Sequence, residues 1–239
     1  MVVGMLLYLA QNSRPDIAYA VHQCAHFTHV PKQSHAVAVK RILRYLNSTK
    51  DKGMYIKPNK SLVIDCYVDA DFAGLWNVED NQDPHCVKSR TGYVICVGGS
   101  PIVWSSKLQT LIASSTMESE YIAMSTVCRE LIPLRDLIKE VAEAVGVSHK
   151  DVVDMHTMIW EDNVGALTLA NMELPRMTPR SKHIAVRYHW FRQYVSTNDV
   201  EDGGIVVKKI GTKDQLADIF TKGLGPTLFE GLRKRLCGW

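Results

Sequence analysis

The sequence predicts an α/β fold in which a sheet is flanked by helices and preceded by a small helical segment. Apolar residues in the first 58 positions recur at helical spacing, whereas residues from 61 onward alternate in the manner of strands. A long helical pattern beginning near Thr116 separates the early strands from the later ones. With 239 residues, 46% of them hydrophobic, the chain can bury a substantial core.

Three helices are expected within residues 1–58, divided by Pro15 and Pro31. In the third helix the apolar residues share one face, and a basic set falls largely elsewhere: Lys40, Arg41 and Arg44. This basic side is either a solvated surface or a face that contacts phosphates.

A zinc site in the second helix is a weaker interpretation. The helix carries four residues that can bind zinc: His22, Cys24, His26 and His29. His22 and His26 are one turn apart, but Cys24 points to a different face and no second ligand pair follows. The pattern therefore does not favour zinc.

The first strand, Leu62 to Val68, ends in two carboxylates that lie on the same side of the pleat, Asp69 and Asp71. This arrangement is either a polar strand terminus or a cation site. Two further strands, Gly92 to Val97 and Ile102 to Ser105, are joined by a predicted hairpin turn that begins at Gly98-Gly99.

The long helix carries Glu120 at the N-terminal end of the apolar stripe that should face the sheet. A buried carboxylate at this place is costly unless it has a partner. Pro133 is expected to bend or break the helix, because proline lacks the backbone N–H and clashes with the preceding turn.

Further acidic residues follow at the ends of later elements. A strand from His156 to Trp160 runs into Glu161-Asp162-Asn163. A basic helical segment is then expected over residues 181–195 and a final strand over 205–210. A last amphipathic segment, residues 214–224, places Asp218 beside apolar residues.

The charge distribution is more informative than the net charge of +3. Residues 61–87 contain six acids and no Lys or Arg, whereas residues 30–60 contain eight Lys or Arg and one acid. Residues 176–192 add five Arg or Lys and no acid. Solvated surfaces can produce this pattern, but an acidic centre between basic flanks also suits a metal-dependent enzyme that acts on a polyanion.

Cysteine spacing and hydropathy bear on the cellular setting. The six cysteines form no Cys-x-x-Cys pair, which favours reduced thiols inside a cell over a disulfide framework. The longest apolar run, Val2 to Ala10, is well short of the roughly 18 residues of a membrane span, so no membrane partner is expected. No signal peptide is recognisable, and the abrupt start suggests that the chain begins inside a longer protein.

Four carboxylates from four elements can converge at one end of the sheet: Asp69, Glu120, Asp162 and Asp218. Like charges at one site raise one another's pKa unless a cation is present. Carboxylate oxygens suit Mg²⁺ or Mn²⁺, and two such ions about 4 Å apart can activate water and stabilise the leaving oxygen of a phosphodiester.

Several motifs, in this order and spacing, resemble the ribonuclease H domain of copia-type retrotransposon polyproteins. They are Tyr67–Gly74, Ser89–Tyr93, Trp104–Lys107, Ser114–Tyr121, Asp162-Asn163, Arg180–Ile184 and Gln215–Lys222. Arg14–Ile17 and Lys40–Leu46 resemble the tail of the same element's reverse transcriptase. The resemblance implies a ribonuclease H-like mixed sheet for residues 61–224, a reverse transcriptase tail for residues 1–58 and a helical C-terminal tail for residues 225–239.

The resemblance also implies an activity: two-metal cleavage of the RNA strand of RNA/DNA hybrids. The ligands would be the same four acids, with Glu120 preferred over Glu118 because Tyr121 and Ala123 follow it as in the family; Asp71 is a secondary candidate. Six basic residues would contact phosphates: Lys40, Arg41, Arg44, Lys182, His183 and Arg187. Many relatives carry a mobile histidine in the loop before the last acid. This chain has no histidine in that loop, so Lys213 or bulk water would have to move the protons.

Other functions fit less well. The polymerase signature with two consecutive aspartates is missing, so no polymerase activity is expected from the chain. A haloacid-dehalogenase-like phosphohydrolase would use Asp69 and Asp71, but Ala73 replaces the expected Thr or Val. The remaining alternative is a remnant that binds nucleic acid without cutting it. By resemblance, the partner is the rest of the reverse transcriptase, in cytoplasmic virus-like particles or in the nucleus.

Overall fold

In the part of the chain that the structure describes, five strands form a single sheet: β1 Ile64–Asp71, β2 Arg90–Val97, β3 Ser100–Leu108, β4 Thr157–Glu161 and β5 Ile205–Lys209. Their order across the sheet is β3-β2-β1-β4-β5. β2 is antiparallel to β1 and to β3, whereas β4 is parallel to β1 and to β5. The predicted mixed sheet flanked by helices is confirmed, and it agrees with a ribonuclease H-like fold.

The computed structural model describes residues 2–57, 59, 63–76, 83, 85–147, 156–178, 181, 184, 186–196 and 204–239. Lys182 and His183, two of the predicted phosphate contacts, lie outside the described residues.

The β2–β3 connection is the hairpin turn that the sequence predicts. Gly98 and Gly99 adopt φ values of 56° and 80°. Two consecutive positive φ values match the right-handed twist of the flanking strands, and glycine reaches them without a Cβ clash.

Among the described residues, seven helices surround the sheet: α1 Val2–Asn12, α2 Ala18–His26, α3 Gln33–Ser48, α4 Thr116–Ala144, α5 Val164–Ala170, α6 Asp218–Thr221 and α7 Pro226–Cys237. α4 and α5 pack on one face of the sheet, where Ile64, Cys66 and Val68 point as predicted. The other helices pack on the opposite face, around Val94 and Cys96.

The helices before and after the sheet region share one hydrophobic cluster. Leu6, Val21 and Ile42 of the first three helices pack with Phe220 of α6 and Leu236 of α7. The Trp104 indole of β3 also donates a hydrogen bond to the Ala10 carbonyl at 2.7 Å. The described parts on either side of the proposed boundaries, at residues 58–61 and 224–225, are packed together. The division into domains therefore stays a prediction from the sequence.

Of the two effects expected of Pro133, a bend or a break, the break does not occur, because α4 continues through the proline. Two further local predictions need correction. The segment 181–195 is not one helix, since its described part contains two 3₁₀ turns, Val186–Tyr188 and Trp190–Tyr194. Residues 214–224 likewise hold only the four-residue α6 after a 3₁₀ turn. In the last two, contacts of single apolar residues with the core replace a continuous amphipathic face.

All six cysteines are buried, and none of them forms a disulfide bond. Among the described helices, none combines the length and apolar character that crossing a membrane requires.

Candidate metal centre

The neighbouring parallel strands β1 and β4 bring Asp69 and Asp162 together. Tyr67 is paired with Trp160, so the two aspartates, each two residues further on, reach the same level at the carboxyl end of the sheet. Gln215 holds these strand ends: its buried side-chain amide donates to the carbonyl of Val68 at 2.9 Å and to that of Trp160 at 3.2 Å.

The helix α4, which packs on the face of the sheet opposite to α6, contributes Glu120. The Glu120 carboxylate is buried, and the backbone N–H of Ala70 acts to lower its pKa. Its second oxygen, Oε2, is buried without a hydrogen-bond partner. Glu118, the competing candidate, instead accepts hydrogen bonds from the backbone and hydroxyl of Ser114, which closes the turn before α4.

Three of the predicted acids form a group with the geometry of a metal site. Asp69, Glu120 and Asp162 each offer one oxygen, and these oxygens lie within 4.8 Å of one another. Within the part of the chain that the structure describes, no other group of His, Cys, Asp or Glu side chains meets this condition. The group lines a cleft of about 440 Å³ that Asp71 and Lys222 also line.

Burial and mutual repulsion raise the pKa values of these acids. Burial raises the pKa of Glu120 well above its ordinary value, and the nearby Glu161, Asp69 and Asp162 raise it further. Burial also raises the pKa of Asp69, although Lys222 and the Thr221 hydroxyl oppose that effect. The site thus resists holding its full negative charge without a cation.

Asp218 lies beside this group rather than in it. Its Oδ1 is 2.9 Å from the Lys222 ammonium, whose distance to Asp69 Oδ2 is 3.6 Å. Burial and the charge of Asp69 raise the pKa of Asp218 to about 6. Burial alone would lower the pKa of Lys222, but Asp69 and Asp218 raise it above its ordinary value.

Three transposon proteins are similar to this chain over almost its whole length. The retrovirus-related Pol polyproteins from transposons RE2 and RE1 of Arabidopsis thaliana are each 38% identical to it over 236 residues, which is 98% of this chain. The Pol polyprotein from transposon TNT 1-94 of Nicotiana tabacum is 37% identical over 236 residues, 99% of this chain. The chain matches a fragment of the retrovirus-related Pol polyproteins of copia-type transposons.

This similarity confirms the resemblance seen in the motifs. The chain spans 14% of the length of the two Arabidopsis proteins and 16% of the Nicotiana protein. No family model matches it, and no solved structure matches it either.

The predicted phosphate contacts lie in separate grooves. Arg41 is exposed on α3 and lines a groove with Lys222, which also borders the acidic cleft. Lys40 lines a different groove, between α1 and α3. Arg44 is exposed on α3.

A third groove contains Arg187. It is lined in addition by Lys107 and Arg129, neither of which is among the predicted phosphate contacts. The groove reaches the acidic end of the sheet through Gln109, whose amide donates to the Thr91 hydroxyl at 3.0 Å and to the Ser119 carbonyl, one residue before Glu120.

The remaining candidates lie away from the cleft. Lys213 is exposed on a 3₁₀ turn and is not among the described residues that line the cleft. His26 contacts Asp83 at 3.1 Å, and burial with nearby cations lowers the pKa of His22 to about 4.

Sequence reasoning missed Glu161, Gln215 and Lys222. Glu161 is fully buried next to the group, and its Oε2 has no hydrogen-bond partner. Lys222 and Gln215 belong to the motif Gln215–Lys222, but their contacts with Asp69 and Val68 join segments some 150 residues apart in the chain. Of the three, Glu161 is the one that the sequence pattern could have revealed, because it is a charged residue at a position of β4 that the alternation assigns to the core.

The residues present fit a divalent cation. A buried carboxylate oxygen without a partner, Glu120 Oε2, lines an open cleft together with Asp69 and Asp162. Oxygen ligands of this kind match the preference of Mg²⁺ and Mn²⁺.

Proposed function

We propose that this chain is an endoribonuclease of a copia-type Pol polyprotein that cleaves the RNA strand of RNA/DNA hybrids. The observation that carries the proposal is the convergence of Asp69, Glu120 and Asp162 in one open cleft at the end of a ribonuclease H-like sheet. Among the described residues that line the cleft there is no Ser, Cys or His to serve as a covalent nucleophile.

Asp69, Glu120 and Asp162 would hold Mg²⁺ or Mn²⁺. When bound, divalent ions supply activation of the attacking water and stabilisation of the leaving oxygen. The resemblance implies two ions with Asp218 as a fourth ligand, and Asp71 would contribute negative charge at the edge of the cleft.

The chain's own residues keep the acids in position. The Thr221 hydroxyl and the Lys222 ammonium both contact Asp69 Oδ2. Gln215 fixes the carbonyls that immediately precede Asp69 and Glu161, so the strand ends cannot separate without breaking two buried hydrogen bonds.

The hybrid would be bound mainly through its phosphates. Arg41 lies in the groove next to the cleft, and Arg187 lies with Lys107 and Arg129 in the groove on the α4 side. Basic side chains on two sides of an acidic centre can contact both strands, and this binding weakens as salt rises because counterions are released.

A cleavage assay tests the proposal. With a labelled RNA/DNA hybrid and Mg²⁺, the chain should release fragments with 3′-hydroxyl and 5′-phosphate ends, and excess EDTA should stop the reaction. Asp69→Asn and Asp162→Asn should each lower the rate by several orders of magnitude while hybrid affinity remains. The matched control is Asp51→Asn, at an exposed position outside the cleft. Undiminished cleavage by Asp69→Asn would refute the proposal.

One observation favours a second function, hybrid binding without cleavage. The Lys222 ammonium already neutralises part of the acidic site, which an inactive remnant could tolerate. Tight hybrid binding with no cleavage in Mg²⁺ or Mn²⁺ would favour this alternative. In either case we expect the chain to work with the rest of the reverse transcriptase, in cytoplasmic virus-like particles or in the nucleus.

A further inference from the structure

We propose that the Lys222 ammonium occupies the position of a second cation, so that the centre binds one divalent ion at Asp69, Glu120 and Asp162. The inference rests on the proposed function, because it concerns the same metal centre. It departs from the two-ion site that the resemblance implies.

The contacts of Lys222 carry the inference. Its ammonium nitrogen lies 2.9 Å from Asp218 Oδ1 and 3.6 Å from Asp69 Oδ2, and so joins the one acid outside the group to an acid within it. Lys222 also lines the cleft itself, with its side chain 37% exposed. A second divalent ion between Asp69 and Asp218 would need these same oxygens.

The chain holds Lys222 in this position through its backbone. Lys222 directly follows α6, in extended conformation, with its N–H bonded to the Asp218 carbonyl. The preceding residue, Thr221, donates its hydroxyl to the same Asp69 oxygen. Both contacts converge on Oδ2, so Oδ1 is the Asp69 oxygen that we expect to coordinate an ion.

The packing of α6 against the sheet holds the backbone of Lys222 in place, and so keeps its ammonium near Asp69 and Asp218. Phe220 is fully buried in the cluster below α6, and its carbonyl accepts a hydrogen bond from the Ser106 hydroxyl at 2.6 Å. A cation fixed in this way repels a divalent ion at the Asp218 side, because like charges a few ångströms apart near a protein surface interact strongly.

Mn²⁺ binding to the full chain, measured without nucleic acid, tests the inference. Electron paramagnetic resonance of free Mn²⁺ gives the number of ions bound. The wild type should bind one ion per chain, and Lys222→Met, which keeps the length of the side chain but removes its charge, should bind two. The second ion should bind Lys222→Met at least about tenfold more tightly than it binds the wild type.

Two further variants control the experiment. Lys222→Arg keeps the positive charge and should bind one ion. Lys234→Met removes an exposed lysine of α7 that does not line the cleft, and it should also bind one. Circular dichroism and thermal unfolding establish that each variant is folded before its ions are counted.

The outcomes separate this inference from the proposed function. A wild type that binds two ions with similar affinity overturns the inference alone, even if Lys222→Met fails to fold. A folded Lys222→Met that binds only one ion also overturns it. A wild type that binds no Mn²⁺ overturns both the inference and the proposed metal centre.

Discussion

The substitution Asp218→Asn should stabilise the metal-free protein at neutral pH. Burial, and after it the charge of Asp69, raises the pKa of Asp218 from 3.8 to about 6. The folded state therefore holds this proton more tightly than the unfolded chain, and the wild type loses stability as the pH rises from 3.8 through about 6. A shift of this size corresponds to about 3 kcal/mol.

Urea unfolding in EDTA at about pH 4 and about pH 7.5 measures the effect. At the acid end both proteins carry an uncharged side chain at position 218, and their free energies of unfolding should agree. At the neutral end the variant should gain up to about 3 kcal/mol, equivalent to a rise in Tm of about 6–12 °C for a chain of this size.

The control is Asp51→Asn, because the Asp51 side chain is 70% exposed, and this substitution should change stability little at either pH. An Asp218→Asn protein that is less stable than the wild type at neutral pH would refute the reasoning. In that case the ion pair with Lys222 would outweigh the free energy lost by burying the carboxylate.

Three further substitutions test the architecture around the site. Gln215→Leu leaves the buried carbonyls of Val68 and Trp160 unpaired, so urea unfolding should show a loss of about 2–4 kcal/mol and the cleavage rate should fall. Gly92→Ala would place a Cβ 2.5 Å from Thr221 Cγ2; the displacement of α6 should cost about 1–3 kcal/mol, and an unchanged Tm would contradict the close packing. Arg41→Ala should weaken hybrid binding and reduce the slope of log Kd against log salt by about one, with little change in the cleavage rate at saturating hybrid.

Some features of this chain follow from local sequence. The strand β1 alternates between apolar and polar residues, so Ile64, Cys66 and Val68 had to share a face. Gly98-Gly99 sets the β2–β3 hairpin because consecutive positive φ values suit glycine. The acids at the ends of β1 and β4 were recognisable because a carboxylate that follows an apolar strand stands out from the pattern.

Other local signals were misleading. Pro133 lies inside α4, which continues beyond it. Leu131 and Ile138, on either side of the proline, pack on the core, and this packing stabilises the helix where its local propensity is low. The 181–195 segment has helical composition, yet its described part forms 3₁₀ turns that bury Tyr188 and Phe191. In both cases tertiary contacts outweigh propensity.

The division of roles among the acids was decided only by the tertiary structure. Glu118 and Glu120 are two residues apart on one helix, but Glu118 accepts hydrogen bonds from Ser114 whereas Glu120 joins Asp69 and Asp162. Asp218 is paired with Lys222, and Asp69 is contacted by Thr221, 152 residues later in the chain. Local periodicity gives the face on which a side chain lies, but its partner depends on how distant segments pack, and the charge at each acid depends on that partner.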